Sequence, residues 1–284
     1  MGTVKIVTDS AQDFEPSILE KMGITVVPLT VHFGEESYRD GYEIRGREFY
    51  EKLTSSAVIA RTSQPSPWEF QQVFQQLTED GSSVVTILLS SALSGTYQSA
   101  VMAKDALPDR QIAVIDSKSA SGMYGMMAIL AQEMAERGAT FDEIVAAVNR
   151  MVEEGITVFS VDTLDYLARN GRIGKAQHLL GSMLNMKPIL SLDDEGYVVA
   201  KERIRGRNKV IPRMVDIVLE RLGEQELYVC VSHANSSEEA AKLKEQAQDL
   251  LNIQRLFETE IGAIIGTHTG PGTLALLAIP CKAV

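Results

Sequence analysis

The sequence predicts an α/β protein of two domains, an N-terminal doubly wound, mostly parallel sheet in residues 1–158 and a C-terminal α/β unit in residues 159–284. Three observations predict it. VVTILLS (84–90) and QIAVIDS (111–117) are near-continuous apolar runs, as parallel strands covered on both faces require. Strand-like and helix-like segments alternate through the first half. After about residue 158 that rhythm stops and the texture changes.

Taken in order, VKIVTDS (4–10) reads as a first strand, 16–22 as a helix and TVVPLTVHF (25–33) as a further extended run, before a polar bend over 34–41. A helical segment near 45–54 leads to ARTSQPSPWEF, in which Ser66 and Pro67 have the chemistry of an N-cap and a first helical position, opening a helix that runs to about Asp80. Residues 94–107 supply a crossover helix between the two apolar strands. Helices over 121–137 and 140–154 precede TVFSVDT (157–163). The second half holds a hairpin-like DDEGYVV, a helix over 208–222, a buried strand in ELYVCVSHA, a charged surface helix in EEAAKLKEQAQDLL and the apolar, glycine-rich IGAIIGTHTGPGTLALLAIP.

Composition excludes some functions. Lys and Arg total 27 against 38 Asp and Glu, a net charge of −11 that disfavours general attraction to nucleic acid or an anionic bilayer. The two cysteines, Cys230 and Cys281, have neither metal-ligand spacing nor a disulfide framework, which fits a reducing cytoplasm and no metal. MGTVKIVTDS lacks the regions of a signal peptide and no apolar stretch reaches a membrane span, so the expected protein is soluble and cytoplasmic.

In doubly wound sheets ligands bind beyond the carboxyl ends of strands, and Thr8-Asp9-Ser10, Ser90-Ser91 and Asp116-Ser117 are expected to line one such crevice. Ser94-Gly95-Thr96 stands where the next helix begins, so its free N–H groups favour an anion; Ser94 suits a helix cap first, and capping is compatible with an anion contact. His268, in GTHTGPG, is either a turn histidine or a functional one. KERIRGRNK (201–209) sets Lys201, Arg203, Arg205, Arg207 and Lys209 on every second residue, so an extended chain would carry all five on one face, either as a soluble edge or as a docking stripe. Arg169, Arg172 and Lys175 add charge at a glycine-rich bend. No Walker loop, G-x-G-x-x-G, H-E-x-x-H or G-x-S-x-G occurs. A serine hydrolase acting on a lipid-like ester through Ser94 and His268 is the alternative from another class.

TDS (8–10), TSQPSP (62–67), LSSALSGTYQSA (89–100), IDSKSASGMYG (115–125), LARNGRIGK (167–175), MKPIL (186–190) and GTHTGPGT (266–273), in this order along nearly the whole chain, resemble the DegV family. The resemblance implies a non-catalytic fatty-acid-binding subunit of a fatty acid kinase, with no cofactor and with a bound long-chain fatty acid as ligand. It implies a lipid tunnel at or near the domain interface, with the carboxylate held by Thr62, Ser63, Ser94 and His268, and with Gly95 and Thr96 at the same turn. A separate ATP-dependent kinase subunit would phosphorylate the acid to an acyl phosphate, feeding exogenous fatty acid into phospholipid synthesis, with at most transient membrane contact. Arg172 matches an arginine that engages the kinase. A second such arginine falls at Arg203 or Arg205, where RGRNK departs from the family's usual pattern; Arg205 is favoured. HLLGSML, MKPIL, IGAII and TLALLAI are candidates for the tail tunnel, or ordinary core, and methionines would suit a deformable lining.

Overall fold

The computed structural model describes residues 3–181 and 186–284. Strands β1 (Val4–Asp9), β2 (Thr25–Val27), β3 (Thr30–Phe33), β4 (Glu36–Arg39), β5 (Arg61–Ser63), β6 (Ser83–Leu88) and β7 (Ile112–Asp116) belong to the first half. Strands β8 (Ile156–Ser160), β9 (Met186–Leu192), β10 (Val198–Arg205), β11 (Leu227–His233), β12 (Ile253–Glu260) and β13 (Leu274–Pro280) follow. They form a parallel sheet in the order β2-β1-β6-β7, a three-stranded antiparallel sheet β4-β3-β5, and a mixed sheet β10-β9-β8-β13-β11-β12 in which only β11 and β12 run parallel.

The period of two along a strand explains the layers. Val84 and Leu88 of β6 pack with Phe70 and Phe74 of the helix Pro67–Thr78 and with Ala100 and Ala103 of the helix Thr96–Asp105. Val85 and Ile87 face the opposite way, into a core that also takes in Met126 and Leu130 of the helix Gly122–Glu136 and Ile144 of the helix Phe141–Glu154. That same core reaches Leu277 and Ile279 of β13 and Cys230 of β11. Two helices are therefore shared between the parallel and the mixed sheet. The first of them is buried without interruption from Gly122 to Ala131, as a helix apolar on every side must be. The outer face of the mixed sheet is covered by the helices Val210–Leu222 and Ser237–Leu250.

The cap expected at Ser66 is present: its Oγ accepts from the Glu69 N–H at 3.3 Å, and the Glu69 carboxylate accepts from the Ser66 N–H at 2.7 Å. Two readings are corrected. TVVPLTVHF is not one strand, because Pro28 has no N–H to give a ladder; the chain leaves the parallel sheet after β2 and enters the antiparallel one at β3. KERIRGRNK is not extended throughout. β10 ends at Arg205, Gly206 takes a left-handed φ of 91°, and Arg207 turns back onto Asp162 and Glu239, so Lys201, Arg203 and Arg205 alone line the edge.

Of three buried carboxylates, Asp9 braces the first half and Asp13 and Asp40 tie the two halves of the chain together. Asp9 accepts hydrogen bonds from the N–H groups of Ala11 and Leu89, both at 3.0 Å, and from the Tyr124 hydroxyl at 2.6 Å. Asp13 accepts from the Gly262 N–H and Asp40 from the Ala263 N–H, each at 2.9 Å. Burial pushes Asp9 and Asp40 up to about 6 and Asp13 well above its ordinary value. A carboxyl group raised in this way stabilises the fold below its unfolded value of 3.8 and loses that contribution as pH climbs through about 6. Asp40→Asn keeps an acceptor without the charge. Relative to the wild type it should gain on the order of 2 kcal/mol in urea unfolding as pH rises from about 4 to about 7. Parallel pH profiles for the two proteins would contradict this.

Candidate functional site

Between the mixed sheet and the carboxyl end of β6 lies an open-mouthed cavity with about 840 Å³ of atom-free space, counted out to solvent. Its floor is one face of the mixed sheet. Ala275 stands opposite Phe159, and Leu277 opposite Thr157, on paired strands β13 and β8; Leu192 and Val198 continue the floor across β9 and β10. The roof is the helix Ala263–Thr269, whose Ile264, Ile265, His268 and Thr269 recur at the spacing of one helical face. Leu89 and Leu93, beyond β6, close the side.

Most polar groups in this lining fall into two sets; Ser121, whose Oγ is buried with no hydrogen-bond partner among the described residues, belongs to neither. The hydroxyls of Thr157, Thr269 and Thr273 are used inside the protein, by Ser119 and by the carbonyls of Ile265 and Gly270. Thr62, Gln64, Ser94, Arg172 and His268 make up the second set, drawn from β5, the turn after β6, the 170s bend and the roof helix.

Thr62 enters the cavity because β5 alternates. Its Oγ1 lies 2.8 Å from His268 Nε2, while Ser63 points the other way, its Oγ 2.8 Å from His32 Nε2. Burial, aided by the Arg172 charge, pushes His268 down to about 4, so the ring is neutral near pH 7. Its Nδ1 is buried with no hydrogen-bond partner among the described residues. Ser94 lines the cavity and also caps: its Oγ accepts from the Thr96 N–H at 3.3 Å and sits 2.9 Å from the Thr96 hydroxyl. Thr96 itself is fully buried and does not reach the cavity. Gly95 acts by having no side chain, since a Cβ there would stand 2.5 Å from Gln64 Nε2. The Arg172 guanidinium is held at the mouth, donating to the carbonyls of Asn170 at 2.7 Å and Leu93 at 3.2 Å.

Of the expected site residues, then, Thr62, Ser94, His268 and Arg172 come together. Ser63, Gly95 and Thr96 stay outside the lining, and Arg203 and Arg205 stand exposed on the edge strand β10, away from it. Gln64 was not foreseen, although it lies next to two residues that were. The strand-end residues form no common crevice. Asp9 is buried in its own hydrogen bonds, Ser90 donates to the Gly196 carbonyl at 3.1 Å and Ser91 to the Asp116 carboxylate. Among the candidate tail segments, IGAII and TLALLAI supply lining and MKPIL does not; residues 182–184 of HLLGSML lie outside the described residues. No described methionine lines this cavity.

A serine hydrolase needs Ser94 joined to His268 and an acid on the other ring nitrogen. Ser94 is joined to Thr96, His268 to Thr62, and His268 Nδ1 has no carboxylate. Among the described residues no cluster of three or more His, Cys, Asp or Glu could hold a metal ion, and no helix is long and apolar enough to cross a membrane.

The family model described as "Uncharacterised protein, DegV family" matches residues 3–281. A DegV domain-containing protein of Caldanaerobacter subterraneus subsp. tengcongensis is 38% identical over 274 residues, covering 95% of this chain and 96% of the relative. The solved structure of a DegV family protein from Thermus thermophilus, described for its fatty acid binding, is 34% identical and superposes with a TM-score of 0.92 over 98% of this chain and 99% of that one. A stearic acid-binding protein from Eubacterium ventriosum is 30% identical, with a TM-score of 0.89 over 98% of each chain. The match runs through all three sheets and every element that lines the cavity: the chain belongs to the DegV family.

Proposed function

We propose that this chain is a cytoplasmic carrier that binds a long-chain fatty acid in the cavity beneath the helix Ala263–Thr269 and presents its carboxylate to a separate ATP-dependent kinase subunit. The observation that carries the reading is the separation of polar groups. Apolar side chains make most of the wall, the hydroxyls of Thr157, Thr269 and Thr273 along it are already bonded, and, with Ser121 the exception, the remaining polar groups converge from four segments on the mouth.

Burying a tail of about sixteen carbons gains roughly 0.8 kcal/mol per methylene, well above the cost of ordering it. A carboxylate at the edge of an apolar cavity must be given hydrogen bonds. The hydroxyls of Thr62 and Ser94, the Gln64 amide and the neutral His268 ring can give them without adding a fixed charge beside the tail. Among the described residues Arg172 supplies the one positive charge in the lining, where an incoming phosphoryl group would need it. The kinase itself would bring ATP and metal. Arg205, exposed on an edge strand of the mixed sheet, suits a docking contact better than a ligand contact.

Solvent extraction of the purified protein followed by mass spectrometry should release a long-chain fatty acid. Ser94→Ala with His268→Ala should weaken binding of added palmitic acid at least roughly tenfold, as expected when hydrogen bonds to a charged group are lost. Unchanged affinity would remove the clamp. With a fatty acid kinase, Arg205→Ala should abolish acyl phosphate formation while the acid is still retained. Loss of the acid with normal coupling would reverse the two roles. A fluorophosphonate probe should leave Ser94 unlabelled, and labelling there would favour the hydrolase.

A further inference from the structure

A second cavity, with about 1090 Å³ of atom-free space counted out to solvent, adjoins the first. Two residues, Thr157 and Leu192, line both. Strand register shows where they stand. Thr273, next to the roof helix, precedes β13; Ala275 faces Phe159 and Leu277 faces Thr157, so Thr157 lies about 14 Å along the floor from Thr273. Val158 faces Ser191, which brings Leu192 level with Thr157, and Val198 faces Leu192 on the next strand. Leu277, Thr157, Leu192 and Val198 are thus one transverse row across the sheet, the last that lines the first cavity. Beyond the row, Gly155, Ile156, Asp193 and Asp194 line the second.

The row is closed from above by Ser119, whose Oγ lies 2.9 Å from Thr157 Oγ1. The loop carrying it passes over the partition: Ala120 and Ser121 line the first cavity, Ser117, Lys118 and Ser119 the second. The two spaces differ in character. Met123, Met127 and Val152 line part of the second cavity, but Lys118, Glu153, Asp193, Asp194, Lys201 and Arg221 line it too, and charged walls of this kind favour water there.

We infer that the Thr157–Leu192 row, latched by Ser119, is the chain-length stop of the lipid cavity. This rests on the fatty-acid reading above. Each methylene gains burial energy until the methyl end meets the row; a longer chain must either displace Leu192 or push carbons into a charged, wet space where that gain ends. The residue that sets the limit is then Leu192, since it lines both cavities with an apolar side chain while Thr157 is tied to Ser119.

The test is the ratio of affinities for arachidic and myristic acid in delipidated protein. Leu192→Ala makes room for further carbons under cover and should raise that ratio about tenfold, the equivalent of roughly two buried methylenes. Leu192→Phe should lower it. Thr157→Ser, which trims a methyl and keeps the hydroxyl, should raise it by a smaller factor and serves if Leu192→Ala does not fold. A ratio within about twofold of wild type in all folded variants, with the wild type binding both acids, overturns the stop and leaves the fatty-acid reading standing. A wild type that binds neither acid overturns both.

Discussion

The start of one short helix is fixed by two carboxylates from the far end of the chain, and the cavity exists because of it. Asp13 and Asp40 reach the N–H groups of Gly262 and Ala263, and the helix that follows carries Ile264, Ile265 and His268 over the mixed sheet. Burying carboxyl groups is costly unless they are hydrogen-bonded. Here that cost has a structural return, because backbone donors at a helix start can be met only from a fixed direction. Tyr50 strengthens the same junction, its hydroxyl donating to the Ile261 carbonyl at 2.7 Å. The roof is held by polar contacts while the floor is held by a ladder, and the space between them stays open.

A neutral collar follows from the same geometry. Burial keeps His268 uncharged, so Thr62 and His268 form a pair whose proton can be placed on either side according to what the ligand offers. A fixed cation in that position would bind a carboxylate more tightly and hold it less available. The Arg172 guanidinium instead stands at the mouth, pinned by two backbone carbonyls. Binding by neutral donors and exposure to a charged rim are thereby assigned to different residues. That division suits the carrier role proposed above.

Much of the fold was legible because its signals are local. The apolar runs of β6 and β7, the capping box at Ser66 and the helical spacing of the crossover segments each depend on a few neighbouring residues. TVVPLTVHF misled because only the proline, not the hydrophobicity, reports the change of sheet. The basic stripe misled because period-two charge is read as a strand until a glycine interrupts it, as Gly206 does. In the site, Ser94 and His268 stood out by their settings. Gln64 and the Thr157–Leu192 row carry no local signal, since what gives them a place is packing against Gly95 in one case and strand register in the other. Ser90, Ser91 and Ser94 show the same limit: three hydroxyls close in sequence serve a hairpin, an aspartate and a cavity.

A crystal structure of the protein grown with palmitic acid tests the central claim most directly. The carboxylate should lie within hydrogen-bond distance of Thr62, Ser94 or His268, with the tail running under Ile264 and Ile265 toward Leu277. A tail that leaves the carboxylate at the Leu277 end, or an acid bound elsewhere with this cavity collapsed, would contradict it.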